Sequence, residues 1–313
     1  MSDINQWESE WDNWDIKTEI SPPPPINTAT LQHFKKAKTL VLPSGGIKGT
    51  YILGAIQYLY GECGINHIKS FYGTSIGAII SGLLIIGYTP LEILVYICVH
   101  KIVNYLLSSF DITKIFTDKS ILGSKIFISL LTEMITSKAG NMPTMGELIT
   151  KYGKKLCVCT ISRENSSQPL YISSDSHPTI TLLQALHMSA SIPFVFGYAE
   201  YDNIHYFDGG VLDQFPILYA SLNDIKVFGI DIKRNNNKKE VILDDMMDMM
   251  TVPMNHISFL LKKELTPDTV YIEIETKDEL TSKNNLETIK MFTNGFRECK
   301  QILFCKKEKI KKL

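Results

Sequence analysis

The segment Tyr72-Gly73-Thr74-Ser75-Ile76-Gly77 has the form G-x-S-x-G and lies between two apolar segments. The residues before it, 68–72, suit a short strand, and the residues after it, 76–86, are apolar almost all round, as in a buried helix. Between a strand and a helix, this motif presents its serine, Ser75, as a nucleophile at a helix N-terminus, where N–H groups favour negative charge. The alternative interpretation is a glycine-rich turn that a serine caps.

A glycine-rich loop, Gly45-Gly46-Ile47-Lys48-Gly49, follows another short apolar run at 39–42. The residues after the loop, 50–60, carry apolar side chains at helical spacing. Backbone N–H groups in such a loop point outward together and can bind an oxyanion, and Lys48 adds positive charge. A phosphate-binding loop is the other interpretation, but neither the G-x-x-x-x-G-K-[ST] nor the G-x-G-x-x-G spacing is present.

A third segment, Tyr206-Phe207-Asp208-Gly209-Gly210-Val211, joins a carboxylate directly to two glycines. Together the three segments, in this order along the chain, resemble the patatin-like phospholipase family. A softer block at 185–194 is similar to the small-residue helix of that family, which ends at a proline. The resemblance spans residues 39–232, which is most of the chain.

The resemblance implies a phospholipase A-type esterase that hydrolyses acyl esters of phospholipids or related lipids through an acyl-enzyme intermediate. It implies that Ser75 is the nucleophile and that Asp208 is its base, without any cofactor or metal. The implied oxyanion hole is formed by Gly45, Gly46, Ile47, Lys48 and Gly49, and the glycines that support the other two turns are Gly73, Gly77, Gly209 and Gly210. The chain departs from the family in having Lys48 for a commoner arginine and Asp213-Gln214 near the place of a frequent asparagine.

Two alternatives to this Ser–Asp dyad are open at the level of sequence. One is a Ser–His–Asp triad on an ordinary α/β-hydrolase fold, in which His256 follows Asp208 in the required order. Against it, His256 comes after a stretch rich in Lys and Asn, 233–239, and a Met-rich run, which is a poor place to fix a base. The other is a non-catalytic lipid-binding or scaffold protein on the same fold.

Alternating strands and helices predict an α/β fold in which helices cover both faces of a mostly parallel sheet, which is the three-layer architecture of the patatin-like family. Ligands bind beyond the carboxyl ends of such strands, where Ser75 is expected. The predicted strands are 39–42, 68–72, 155–163, 169–174, 204–207, 225–232 and 268–275, and the predicted helices are 49–60, 76–87, 90–107, 120–137, 181–190, 214–222 and 284–308.

Composition indicates a globular protein, because 44% of the 313 residues are hydrophobic and 21% are charged. The formal net charge of −1 gives no reason to expect a nucleic-acid partner. We divide the chain into an acidic leader with Trp and Pro at 1–38, a catalytic core at 39–232, and a C-terminal part of the same domain at 233–313. This last part contains the Met-rich segment 244–254, which we interpret as either a lid or a core helix, then a strand and a final helix with a basic tail.

The chain opens on acidic residues without an apolar signal segment, and the apolar stretch 78–99 is interrupted at 87–90. We therefore expect neither a signal peptide nor a transmembrane helix, and an intracellular protein that is soluble or bound peripherally to a membrane or lipid aggregate. No metal site is expected, because no cysteine or histidine cluster has ligand spacing. The cysteines, expected as free thiols, are Cys63, Cys98, Cys157, Cys159, Cys299 and Cys305.

Overall fold

The structure is a computed structural model that describes residues 28–102, 124–192, 197–233, 253–276 and 285–304. The leader up to residue 27, most of the Met-rich segment (244–252) and the basic tail from residue 305 lie outside these residues, as do Pro193 and Phe194 of the softer block.

Eight strands form one sheet in the order β5-β6-β3-β2-β1-β7-β8, with β4 paired to β3. The pairs β1–β2, β1–β7, β2–β3 and β7–β8 are parallel, and the pairs that involve β4, β5 or β6 are antiparallel. The predicted mostly parallel sheet is therefore confirmed. The strands are β1 Thr39–Leu42, β2 Ser70–Thr74, β3 Lys155–Ser162, β4 Asn165–Ser173, β5 Ala199–Tyr201, β6 Ile204–Asp208, β7 Val227–Lys233 and β8 Thr269–Glu275.

Helices cover the sheet, and the apolar side chains of β1 divide between two cores. Leu40 and Leu42 enter the larger core, whereas Val41 enters a smaller one with Phe215 and Ile217. This division follows from the alternation of side chains along a strand. The helices are α1 Thr28–Lys36, α2 Gly49–Cys63, α3 Ile76–Ile85, α4 Pro90–Val99, α5 Ser124–Ala139, α6 Met145–Tyr152, α7 Leu182–Ser189, α8 Ile217–Asn223, α9 at 253–261 and α10 Asn285–Phe304.

Two helices pack closely because glycines face each other's backbones. A Cβ atom on Gly54 of α2 would collide with the backbone of Phe292, and one on Gly295 of α10 would collide with that of Tyr51. The same interface pairs the ring of Tyr58 edge-on with that of Phe296, 5.3 Å between centroids. The final helix is thus fixed against the helix that follows the glycine-rich loop.

Four elements are present that the sequence patterns did not predict: α1, α6, α9 and β5. α1 lies in the stretch interpreted as a leader, yet its Phe34 is fully buried and packs edge-on against Phe228 at 5.0 Å between centroids. α6 is short, and its signals are local, since a capping box joins Thr144 to Glu147 and Gly153 ends the helix in a left-handed conformation. Strand β2 also lies about two residues later than predicted.

Within the described residues, no single helix is long and apolar enough to cross a membrane, and α3 and α4 reach that length only as a pair bent by 118°. The bend falls where Gly87 interrupts the apolar stretch, with a φ of 102°. The cysteines in the described part of the chain, Cys63, Cys98, Cys157, Cys159 and Cys299, are free thiols, as predicted.

Candidate active site

Ser75 is the single residue between β2 and α3, and its backbone conformation is rare for residues other than glycine. Its φ is 56° and its ψ is −120°, and it is only 4% exposed. Such a conformation costs on the order of 1–3 kcal/mol and persists only where surrounding contacts enforce it. The turn is tight, because a Cβ atom on Gly77 would lie 2.5 Å from the carbonyl oxygen of Leu42. Ser75 is therefore held on a strained strand-to-helix turn, as the motif predicts.

Asp208 ends strand β6 and is also only 4% exposed. Its carboxylate accepts a hydrogen bond from the Ser75 side chain and another from the backbone N–H of Gly210, at 2.7 Å. Burial raises the pKa of Asp208 to about 6, and the hydrogen bonds from Ser75 and Gly210 partly oppose this rise. The two side chains that the sequence singled out are therefore joined directly, although they are far apart in the chain.

Strand β3 brings these two residues together. Along β3, Cys159 is paired with Thr74 of β2, and the next residue, Thr160, is paired with Asp208 of β6. Strand β4 occupies the other edge of β3 at both positions. Since each edge of a strand holds one neighbour at a time, β2 and β6 meet end to end along the same edge. The residue after Thr74 is Ser75, so the two carboxyl ends place Ser75 beside Asp208.

The glycine-rich loop after β1 packs against both of these strand ends. A Cβ atom on Gly49 would collide with the side chain of Ile76, and one on Gly210 would lie 3.1 Å from Cβ of Ser44. The backbone N–H of Ser44 also donates to the carbonyl of Gln214, 2.7 Å away. All three glycine-containing segments thus lie together at one edge of the sheet.

The loop forms a 3-10 turn, Gly46–Lys48, whose own hydrogen bonds divide its N–H groups into two sets. The N–H of Lys48 donates to Gly45, 3.0 Å away, and the N–H of Gly49 donates to carbonyls within the turn. The N–H groups of Gly46 and Ile47 take no part in these hydrogen bonds of the turn. Of the five residues predicted for an oxyanion hole, Lys48 and Gly49 therefore have their N–H groups engaged within the turn.

The N-terminus of α3 provides a further set of N–H groups next to Ser75. The first hydrogen bond of this helix runs from Ile79 to the carbonyl of Ser75, 3.1 Å away. The N–H groups of Ile76, Gly77 and Ala78 consequently have no partner inside the helix. An oxyanion on a carbon bonded to the Ser75 hydroxyl oxygen would lie near the first of them.

Two residues outside the predicted site, Ser189 and Asp213, join the segments of the site. The hydroxyl of Ser189, at the end of α7, accepts the N–H of Ser75 at 2.9 Å. Asp213 donates its N–H to Gly209 at 2.8 Å and accepts the hydroxyl of Thr74 at its carbonyl, 3.0 Å away. The softer block at 185–194 contains Ser189, but nothing in its spacing identifies the contact with Ser75.

The histidine that would complete a triad is exposed to solvent, whereas Asp208 is buried. His256 is exposed on α9, and within the described residues the hydrogen-bond partners of the Asp208 carboxylate are Ser75 and Gly210. In the same residues, no group of three His, Cys, Asp or Glu side chains is placed to hold a metal ion. The arrangement can supply a hydroxyl, an adjoining carboxylate and N–H donors that neither the turn nor α3 uses, which together suit acyl transfer.

Comparison with known proteins gives a family and relatives. The family model described as patatin-like phospholipase matches residues 40–221. The probable lipid hydrolase 463L of Invertebrate iridescent virus 6 is 35% identical over 215 residues, which cover 67% of this chain and 69% of that protein. An uncharacterised protein of Acanthamoeba polyphaga mimivirus is 24% identical over 215 residues, covering 65% of this chain and 68% of that protein.

Among solved structures, VipD from Legionella pneumophila has a similar fold. The superposition has a TM-score of 0.50 at 16% sequence identity and covers 86% of this chain and 67% of that chain. At this level of identity the likeness concerns the fold alone.

Proposed function

The chain belongs to the patatin-like phospholipase family, and on this premise we propose that it hydrolyses acyl esters of phospholipids or related lipids through Ser75 and Asp208. One observation carries the proposal: the buried Asp208 carboxylate accepts the hydroxyl of Ser75. A serine hydroxyl is a poor nucleophile unless a base removes its proton, and Asp208 is the group in position to do so. Its pKa of about 6 makes it a stronger base than an exposed aspartate and leaves it ionised at neutral pH.

In the first half of the reaction, the Ser75 hydroxyl oxygen attacks the ester carbonyl carbon while its proton passes to Asp208. The N–H groups of Gly46, Ile47 and Ile76 donate to the oxyanion of the tetrahedral intermediate. The intermediate collapses to an acyl-serine, and Asp208 returns the proton to the departing alkoxide, which leaves as the alcohol.

In the second half, a water molecule attacks the acyl-serine and gives its proton to Asp208. The second tetrahedral intermediate uses the same N–H groups, and its collapse releases the fatty acid and restores the Ser75 hydroxyl with the proton from Asp208. The cycle needs no group outside the chain and its substrate except water. Because the acyl chains of phospholipids are held in aggregates, the reaction takes place at a membrane or micelle surface to which the protein binds peripherally.

The test compares matched variants of the purified protein on two substrates. Phosphatidylcholine vesicles with mass detection of the released fatty acid report lipid hydrolysis, and p-nitrophenyl butyrate reports the chemistry without an interface. Ser75→Ala should abolish both activities. Ser81→Ala is the matched control, since Ser81 lies on α3, which begins directly after Ser75, is fully buried and has a hydroxyl without a partner in the described residues. It should retain both activities.

Two outcomes would overturn the proposal. Substantial activity in Asp208→Asn would exclude Asp208 as the base and favour a histidine such as His256. An absence of turnover above background in the wild-type protein, on both substrates and on a wider lipid panel, would indicate a lipid-binding or scaffold protein.

A further inference from the structure

The hydroxyl of Ser189 bridges the turn that carries Ser75 to the neighbouring strand. It accepts the N–H of Ser75 at 2.9 Å and donates to the carbonyl of Cys159 at 2.7 Å. Ser189 is fully buried, so both hydrogen bonds are made away from solvent. The side chain therefore satisfies one backbone donor and one backbone acceptor at the same time.

The position of this bridge explains its effect on the backbone. Cys159 is paired with Thr74 in the parallel ladder between β2 and β3. If β2 continued by one residue, the N–H of Ser75 would be the next to donate directly to the Cys159 carbonyl. The Ser189 hydroxyl bridges these two groups, because it accepts the N–H of Ser75 and donates to the carbonyl of Cys159. The chain can then leave the sheet at Ser75 instead of one residue later.

We infer that Ser189 is a positioning residue for the reaction: it holds the backbone of Ser75 in the left-handed conformation that directs the hydroxyl toward Asp208 and the N–H of Ile76 toward the oxyanion. The inference rests on the proposed function, in which Ser75 is the nucleophile. It assigns to the end of α7 a role in the geometry of the site.

A second contact ties the same end of α7 to the other half of the site. The hydroxyl of Thr160 lies 3.0 Å from the carbonyl of Met188 and 2.8 Å from that of Phe207. Met188 precedes Ser189, and Phe207 precedes Asp208. The last turn of α7 is therefore in contact with the segments of both Ser75 and Asp208, so it can fix their relative position.

Removal of the Ser189 hydroxyl would leave the Ser75 N–H and the Cys159 carbonyl buried and unpaired. Because an unpaired buried group is unfavourable, the two groups are expected to move toward a direct hydrogen bond. That movement would draw Ser75 into the strand and turn its hydroxyl away from Asp208. A displacement of about 1 Å in a reacting group can lower the rate by about 100-fold.

The chain offers a close control for this effect at the other end of β3. The hydroxyl of Ser174, which is 1% exposed, accepts the N–H of Leu156 at 3.0 Å and lies 3.3 Å from the carbonyl of the same residue. Leu156 is paired with Phe71 near the start of β2, remote from Ser75. Ser174→Ala therefore removes a buried hydroxyl of the same kind without touching the site.

The experiment measures kcat, KM and thermal stability for Ser189→Ala and Ser174→Ala with the soluble ester p-nitrophenyl butyrate. We expect both variants to lose stability, and Ser174→Ala to lose less, because the backbone N–H of Ser174 still donates to the Leu156 carbonyl at 2.9 Å. Ser189→Ala should lose about 10- to 100-fold in kcat with KM changed less than about threefold, and Ser174→Ala should keep the wild-type kcat. Ser189→Thr, which retains the hydroxyl, should recover much of the kcat, whereas Ser189→Cys, whose thiol is a weak hydrogen-bonding group, should recover less.

A readout that does not depend on turnover separates this inference from the proposed function. The pKa of Asp208, followed by carbon NMR of its carboxyl group, should rise in Ser189→Ala and stay unchanged in Ser174→Ala, because the Ser75 hydroxyl no longer stabilises the carboxylate. If the wild-type protein has no turnover but the pKa of Asp208 responds in this way, the proposed function fails while the positioning of Ser75 by Ser189 stands.

The positioning role is overturned if Ser189→Ala keeps kcat within about twofold of wild type and leaves the pKa of Asp208 unchanged. If Ser189→Ala does not fold, the comparison of Ser189→Thr with Ser189→Cys decides instead: equal kcat values in these two variants would contradict a role for the hydroxyl.

Discussion

Asp208 and Asp213 lie in the same turn, and their properties are almost the same. They are 4% and 2% exposed, and burial raises the pKa of each to about 6. They differ in the hydroxyl that each accepts, which belongs to Ser75 for Asp208 and to Tyr171, at 2.7 Å, for Asp213. Burial and a raised pKa therefore do not identify the base in this protein. The proposal that Asp208 is the base rests on its partner, because Ser75, unlike Tyr171, has a positive φ and precedes the N-terminus of α3.

The contacts of Asp213 are structural, because they hold together the backbone segments near Ser75 and Asp208. Its carboxylate also accepts the N–H of Phe215 at 3.2 Å, and its backbone joins Thr74 to Gly209. Burial and the neighbouring carboxylate of Asp213 raise the pKa of Tyr171 far above its usual value, so the phenol keeps its proton. Asp213 thus holds together the two segments that carry Ser75 and Asp208. Its partner, Tyr171, does not give up a proton, so we do not expect Asp213 to act as a base toward it.

The largest difference between the two aspartates should appear in activity. We expect Asp208→Asn to lower kcat by about 10⁴-fold, because a positioned base contributes roughly 10²–10⁴ and the serine is inactive without it. Asp213→Asn should lower kcat by less than about tenfold, since its side chain meets no reacting atom. Rates on p-nitrophenyl butyrate measure both. The double variant Ser75→Ala/Asp208→Asn should be about as inactive as Ser75→Ala, because the two residues act as one unit.

Equal losses in Asp208→Asn and Asp213→Asn would contradict this comparison. They would mean that the turn as a whole, and not one carboxylate, is needed for activity.

The next difference concerns the pH dependence of activity. Asp208 must be ionised to accept a proton, and its pKa is about 6. We therefore expect kcat/KM to be level above pH 7 and to fall by about tenfold per pH unit below pH 6. The pH profile of Tyr171→Phe, which changes only the partner of Asp213, should keep the same midpoint. A midpoint near pH 4 in the wild-type protein would show that Asp208 is not desolvated in the working enzyme.

The sequence predicted most of the sheet and the two residues of the proposed dyad because their signals are local. Ser75 and Asp208 each sit in a motif whose neighbouring glycines have a steric reason to be there. Ser189 and Tyr171 could not be found in this way. Each acts through one hydroxyl on a residue far away in the chain, and a single serine or tyrosine in a helix or strand has no distinguishing pattern.

The end-to-end meeting of β2 and β6 was also beyond local patterns. It depends on which edge of β3 each strand occupies, and the prediction of parallel strands leaves that open. The short helix α6 was missed for another reason: its clearest signals are its two caps, the capping box of Thr144 with Glu147 and the terminal Gly153, and not an apolar period.

A smaller effect should follow from removing the partner of Asp213. Tyr171→Phe leaves a buried carboxylate with one donor fewer, and such a loss costs about 1–3 kcal/mol of unfolding free energy. The stacking of Tyr171 on Tyr219, with 3.6 Å between ring centroids, would be retained by phenylalanine. We expect urea unfolding at pH 8 to show this destabilisation while kcat stays within about tenfold of wild type. A loss of kcat above 100-fold at unchanged stability would instead place Asp213 in the chemistry.

The smallest expected effect is on the pH dependence of stability, where the two aspartates should behave alike. Both have a pKa of about 6 in the folded protein, against 3.8 for an unperturbed aspartate carboxyl. Between about pH 4 and 6 the folded state therefore binds more protons than the unfolded state, so stability is greatest at the acid end of this window and falls as pH rises through it. One such group gives a slope of at most about 1.4 kcal/mol per pH unit.

Asp208→Asn and Asp213→Asn should each remove about half of the slope that the two aspartates produce together, although only Asp208→Asn should remove activity. Urea unfolding at pH 4, 5, 6 and 7 measures the slope, and Asp175→Asn serves as the control, because Asp175 is exposed in a surface ion pair with Lys155. A slope in Asp208→Asn that is unchanged from the wild-type slope would mean that the Asp208 carboxylate is solvated in the folded protein. Ionisation of either aspartate is thus expected to lower stability, but only ionisation of Asp208 is expected to raise activity. The charge that burial disfavours at Asp208 is the charge that the proposed reaction uses.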